Sequence, residues 1–295
     1  NIYVKRENMK KIIHVMRMSI LVNVMLAIGK ILAGWLGSSG ALIADGIHSF
    51  SDLITDFCAI LGSKMAAKPA DKEHPYGHGR LEYMTSLVIG VMILGVGFSV
   101  IYGAFSREIT IPSVFVILVS FISIVAKLGL STYLIRKGNE YHSNILTASG
   151  KESRTDVVSS FVVLLSSSCM QFTNEIPILK YADLVAMIVV GILIVHVGFG
   201  VLKENLSAVL GEREMDREVQ NEIEALAQSY EEIYHIESIY LIKYGPYYCL
   251  DLVIHMDGGL TLIYAHKIVD QLENQIQKKY PNIQYLNIHM EPEEK

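Results

Sequence analysis

Residues 41–57 read ALIADGIHSFSDLITDF, and the fold turns on how this stretch is interpreted. It lies in a run, 40–66, that is apolar enough to be a membrane span apart from Asp45, His48, Asp52 and Asp56. A span needs about 20 mostly apolar residues. The runs 13–36, 80–104, 112–136 and 181–203 meet that need with little internal charge. A sixth run, 144–170, repeats the anomaly of the first stretch, with Glu152, Arg154 and Asp156 inside it. Ionisable residues are expensive in hydrocarbon and usually functional there. The sequence therefore predicts six transmembrane helices, two of which carry chemistry.

Composition agrees. The chain has 295 residues, 51% of them hydrophobic, which is rare for a soluble protein. A net charge of -5 gives no reason to expect nucleic acid as a partner. Cys58, Cys169 and Cys249 form no CxxC pair, so reduced thiols are expected. The N-terminal segment is basic, and no small-residue cleavage site follows the first apolar run. That run is read as a span, not a removed signal peptide.

Basic residues cluster in alternate loops: Lys5, Arg6, Lys10, Lys11 and Arg17 before the first span, Lys64, Lys68, Lys72 and Arg80 after the second, and Arg136, Lys137, Lys151 and Arg154 after the fourth. The other side shows only Arg107 and Lys180. The positive-inside rule places both termini in the cytoplasm. After Lys203 charges become dense. The pattern over 215–229 is helical, 236–243 and 248–256 read as strands around Gly245-Pro246, 262–279 is helical again, and 283–289 is a last strand. This is a small α+β sandwich, too small for a substantial enzyme cleft.

His48 and Asp52 lie four apart, as do Glu152 and Asp156. On a helix that spacing stacks two side chains on one face. Two such helices can supply one nitrogen and three oxygens, a set that suits a divalent transition metal. Alternatives stay open. Glu152 can instead sit at the membrane boundary beside Arg154 or Lys151, and Asp45 and Asp56 are better read as supporting groups than as ligands. In the loop after the second span, Asp71, His74 and His78 follow a D-x-x-H-x-x-x-H spacing punctuated by Pro69, Pro75, Gly77 and Gly79. Two imidazoles and a carboxylate there make a zinc half-site, or else a solvated polar loop. The tail offers His235, His255, His266, His289 and Glu291, the last two on one strand face.

The segments SGALIADGIHSFSDLITD, KPADKEHPYGHGRLE, SRTDVVSS, YAHKIVDQLE and IHMEP resemble the cation diffusion facilitator family over nearly the whole chain. The resemblance implies a six-span transport domain over 1–207, a ferredoxin-like cytoplasmic domain over 208–295, a homodimer through both, and exchange of a divalent metal for protons. It maps the transport site to His48, Asp52, Glu152 and Asp156, and a second site to Asp71, His74 and His78. Many zinc-carrying members have His where this chain has Glu152. The family's middle tail strand usually has His where Val253 stands, so Asp251 and His255 are the expected substitutes in a regulatory cluster with His235, His289 and Glu291. By the same resemblance, Arg80 sits where the family has a cation that pairs with an acid near the end of the sixth span; Gly211 stands at the acid's place, with Glu204 and Glu212 near it.

No GxxxxGK[ST] or HExxH segment occurs, which argues against an ATP-driven pump and an intramembrane metalloenzyme. The expected function is efflux of Zn²⁺ from the cell through its membrane by proton antiport, with Mn²⁺, Fe²⁺, Co²⁺ or Cd²⁺ as possible cargo. A membrane metal sensor without net transport is the competing reading.

Overall fold

A backbone crossing hydrocarbon must satisfy its own hydrogen bonds, so the apolar runs close into helices. The structure, a computed structural model, describes residues 2–66, 68–141, 143–213 and 217–293. Among the described residues six long helices appear: α1 (Ile2–Leu36), α2 (Gly40–Ala66), α3 (Leu81–Ser106), α4 (Val114–Glu140), α5 (Asn144–Met170) and α6 (Ala182–Val209). By length and composition alone, α1, α3, α4 and α6 qualify as membrane spans. The remaining two, α2 and α5, are each 27 residues long and are the helices that carry the internal charges. The chain is thus a six-helix membrane protein with a small α+β domain behind it, as its pattern predicts. The side chain of Asp56 lies outside the described residues.

Two compact units form, residues 1–57 with 89–200, and residues 58–88 with 201–295. In the first, the helices approach closely at glycines. A Cβ on Gly46 would stand 2.6 Å from Ile31 Cγ1, and one on Gly150 2.7 Å from Ile135 Cγ1. Small residues of this kind let membrane helices pack backbone to backbone. Leu21, Met25, Met92, Phe121, Phe161 and Phe199 are exposed, which suits a lipid-facing surface. The start of α2 is held by a buried acid. Asp183 accepts from the Gly40 N–H at 2.8 Å and from the Ser39 hydroxyl at 2.8 Å, satisfying free donors at a positive helix end.

In the second unit, α7 (Arg217–Ala227) and α8 (Leu262–Lys279) cover one face of a sheet of β1 (Ile233–Tyr244), β2 (Tyr247–Asp257) and β3 (Ile283–Glu293). The strand order is β1-β2-β3, with β1 antiparallel and β3 parallel to β2. Alternation along β2 buries Leu250, Leu252, Ile254 and Met256 towards the helices and leaves Asp251 and His255 on the other face. Gly245, at φ 68°, makes the β1–β2 turn that a Cβ would strain. The helix expected over 215–229 is seen over Arg217–Ala227, its first two expected residues lying outside the described ones. Strand β1 starts earlier than expected and β3 ends later, so His235, Glu291 and Glu293 all stand on strands.

Candidate metal centres

The helical spacing of α2 brings His48 Nδ1 within 3.8 Å of Asp52 Oδ1. Asp156 on α5 joins them, and ligand atoms of the three lie within 4.8 Å of one another. The three side chains are 10%, 20% and 11% exposed, so the group is sheltered but reachable. It offers one nitrogen and two carboxylates, which leaves coordination positions open as a site for passing cargo requires. Glu152, one turn before Asp156, is exposed and does not enter the group. The four-ligand expectation therefore reduces to three among the described residues. Glu152 and Asp156 share the helical spacing of His48 and Asp52, but only Asp156 joins the group.

The structure adds two buried lysines that the sequence reading passed over. Lys127 on α4 donates to Asp156 Oδ2 at 2.6 Å, with 3% of its side chain exposed. Lys30 on α1 pairs with Asp45 Oδ2 at 2.8 Å, both side chains fully buried. Ser159 and Ser160 donate to Asp45 at 2.6 and 2.8 Å, and Lys30 also donates to Ser160 at 2.9 Å and Ser49 at 3.2 Å. Asp45 thus belongs to a closed ion pair that joins α1, α2 and α5. A signal existed: each lysine is a single cation in an apolar run, IGKIL and VAKLG.

In the loop, Asp71 accepts from the His74 N–H at 2.7 Å and the Glu73 N–H at 3.0 Å, an Asx turn. The His74 N–H holds the Asp71 carboxyl below its ordinary range, aided by the His74 side chain. His74 Nδ1 lies 3.2 Å from Asp71 Oδ1 and His78 Nε2 3.4 Å from Asp71 Oδ2. His78 Nδ1 sits 3.2 Å from the Pro69 carbonyl, which orients the other nitrogen toward Asp71. All three residues fall in one group with ligand atoms within 4.8 Å.

On the uncovered sheet face, His235 and His255 are register partners with rings stacked 4.2 Å apart. Glu293 Oε2 lies 3.3 Å from His235 Nδ1 and 3.6 Å from His255 Nδ1. His255 also groups with Glu237 and Glu291. His289 lies 3.5 Å from Glu291. Asp251, exposed beside Tyr240 in the register, joins neither group among the described residues. Glu237 and Glu293 were missed; strand alternation from Glu291 points to Glu293, whereas Glu237 stands where the β1 register shifts between Ile236 and Ser238, which alternation does not foresee. Arg80 lies over the Tyr244 ring at 4.7 Å and makes no ion pair among the described residues.

The four groups share one chemistry: imidazole with carboxylate, at spacings that fit a divalent ion. Residues 16–210 match the family model described as the cation efflux transmembrane domain, and residues 215–293 that of the cation efflux protein cytoplasmic domain. Manganese efflux system protein MneP of Bacillus subtilis is 27% identical over 279 residues, covering 93% of this chain and 94% of the relative. Manganese efflux system protein MneS of the same organism is 26% identical over 281 residues, with 93% of each chain covered. An uncharacterized transporter of Methanocaldococcus jannaschii is 29% identical over 278 residues, covering 93% of this chain and 96% of the relative.

Proposed function

The chain belongs to the cation efflux family of multi-pass membrane transporters for divalent metal cations, and from that premise we propose that it exports Mn²⁺ and Zn²⁺ in exchange for protons, as a homodimer. The observation that carries the proposal is the convergence of His48, Asp52 and Asp156 between α2 and α5. A sheltered three-donor group with open positions can take an ion from one side and release it to the other. When the ion leaves, the same imidazole and carboxylates can accept protons, which provides the exchange.

The sequence led to Zn²⁺ first. The observed donors widen the choice. With Glu152 outside the group, three protein donors leave room for water, and a carboxylate-rich, partly hydrated site suits Mn²⁺. Two similar proteins carry manganese in their names. His48 keeps Zn²⁺, Co²⁺ and Fe²⁺ accessible.

The loop group of Asp71, His74 and His78 is assigned a cytoplasm-facing ion. The sheet group of His235, His255, Glu291 and Glu293, with Glu237, is assigned regulatory ions. Residues 1–207 are assigned to the transport domain and 208–295 to the cytoplasmic, dimer-forming domain. Both termini are assigned to the cytoplasm of the cell whose membrane holds the protein.

The test is flux in sealed proteoliposomes with an imposed pH gradient, comparing Mn²⁺, Zn²⁺, Fe²⁺, Co²⁺ and Cd²⁺. Gradient-dependent flux of Mn²⁺ and Zn²⁺, lost in Asp52→Ala, is expected. Metal binding without flux would leave a sensor instead.

A further inference from the structure

We infer that Lys127 is a tethered competitor of the cargo: its ammonium occupies Asp156 while the site is empty and is displaced when a divalent ion binds. The inference rests on the transport reading of His48, Asp52 and Asp156, and adds the counter-ion that reading lacks.

Two partly buried carboxylates, Asp52 and Asp156, lie in one group of ligand atoms within 4.8 Å. Without a cation they would repel each other in a low-dielectric site. Lys127 supplies that cation at 2.6 Å from Asp156 Oδ2. A bound metal would take its oxygen at about 2.0–2.2 Å. An ammonium 2.6 Å from Asp156 and a divalent ion on the same small carboxylate would repel each other at short range in a low-dielectric site.

Lys30 provides the contrast. It is locked by Asp45, Ser49 and Ser160. An ammonium has three donors. Among the described residues Lys127 has Asp156 as its single hydrogen-bonding partner. Its four-carbon stem is flexible, so one bond is all that holds the charge in place. The buried face of α4 continues toward its N-terminal end with Ser123 and Ser120, and the Ser120 hydroxyl has no partner among the described residues. Long helical side chains lean that way, which gives the displaced ammonium a polar path. Lys30 therefore acts as structure, whereas Lys127 is poised to leave.

A resident competitor weakens equilibrium binding and speeds release. Replacing Lys127 by an uncharged side chain leaves Asp156 unbalanced in the empty state only, so metal should bind tighter. A lysine that merely orients Asp156 for the metal would give the opposite.

The experiment uses the full chain in a background of Asp71→Ala, His74→Ala, His78→Ala and His255→Ala, so that the helical group dominates binding. Mn²⁺ and Zn²⁺ affinities are measured by calorimetry for Lys127→Met, Lys127→Arg and Asp52→Ala, and efflux is measured in proteoliposomes. Lys127→Met should bind at least about tenfold tighter, a change of about 1.4 kcal/mol, and release more slowly. Lys127→Arg should stay close to the parent. Unchanged or weaker binding in Lys127→Met overturns the proposal. If Asp52→Ala binds like the parent, the transport site itself is misassigned, which is a separate failure. A structure of the unmutated protein loaded with Mn²⁺ reads the same point without substitution: Lys127 Nζ should have left Asp156, and a retained contact beside a bound ion overturns the proposal.

Discussion

The Tyr247 hydroxyl donates to the Tyr76 carbonyl at 2.6 Å, across 171 positions of chain. It also accepts from the Gly79 N–H at 3.1 Å. A single phenol on β2 thus fixes both flanks of His78 in the loop group. Gly79 permits the approach: a Cβ there would stand 2.1 Å from the Tyr244 carbonyl oxygen.

Tyr247→Phe keeps the ring and removes both bonds. The loss should be about 1 kcal/mol of loop order, or roughly a fivefold weaker ion affinity at Asp71, His74 and His78. Calorimetry with Zn²⁺ checks this in a chain lacking His48 and His255. Equal affinity in the two proteins would show that the loop orders itself.

Asp156→Ala and Asp52→Ala should both abolish flux, but their stabilities should differ. Asp156→Ala strands the buried Lys127 charge, and breaking a buried pair costs about 3–5 kcal/mol. Adding Lys127→Ala to Asp156→Ala should recover much of that loss, whereas Asp52→Ala needs no such rescue. Thermal unfolding in detergent followed by tryptophan and tyrosine fluorescence distinguishes them. Equal melting temperatures for all three would remove the ion pair from the stability account.

Cys249 faces an environment that raises its thiol to about 11, burial being the main cause and the Asp251 charge adding to it. The thiolate is the reactive form. In a Cys58→Ala, Cys169→Ala background, maleimide labelling at pH 8 should be slow and should accelerate as pH rises toward 11. Fast labelling at neutral pH would show that Cys249 is open to solvent in the folded protein.

How far the sequence could be read depended on periodicity. The helices and the order of helices and strands along the tail were legible because a 3.6 or 2 residue repeat follows directly from one-sided burial. His48 and Asp52 were legible for the same reason, being one turn apart. Glu152 and Asp156 share that spacing, yet only Asp156 reaches the group, since the rotation of α5 is set by its packing on neighbouring helices, as at Gly150 against Ile135 of α4, and spacing alone does not give it. Lys127 was not legible as a partner of Asp156, because 29 positions and a helix-to-helix register separate them. Asp45 needed Lys30 in view before its role as an ion-pair member emerged. Glu293 was within reach: it follows His289 and Glu291 at strand spacing.

Glu152 is exposed and outside the group, so Glu152→Ala should keep most of the flux, and Glu152→His should leave the ratio of Mn²⁺ to Zn²⁺ transport unchanged. His48 is different, being the single nitrogen in the group. Imidazole favours Zn²⁺ over Mn²⁺, whereas carboxylate and water suit Mn²⁺. His48→Asp converts the site to three carboxylates, and the flux ratio should move toward Mn²⁺ by roughly tenfold, the scale of one donor exchanged for a harder one. A third carboxylate also adds charge that Lys127 alone cannot balance, so the empty site should be less stable and the metal held longer. Parallel flux assays with both ions at equal concentration give the ratio directly. A ratio that follows Glu152 and ignores His48 would make Glu152 the selecting donor, and the three-residue site would have to be redrawn around it.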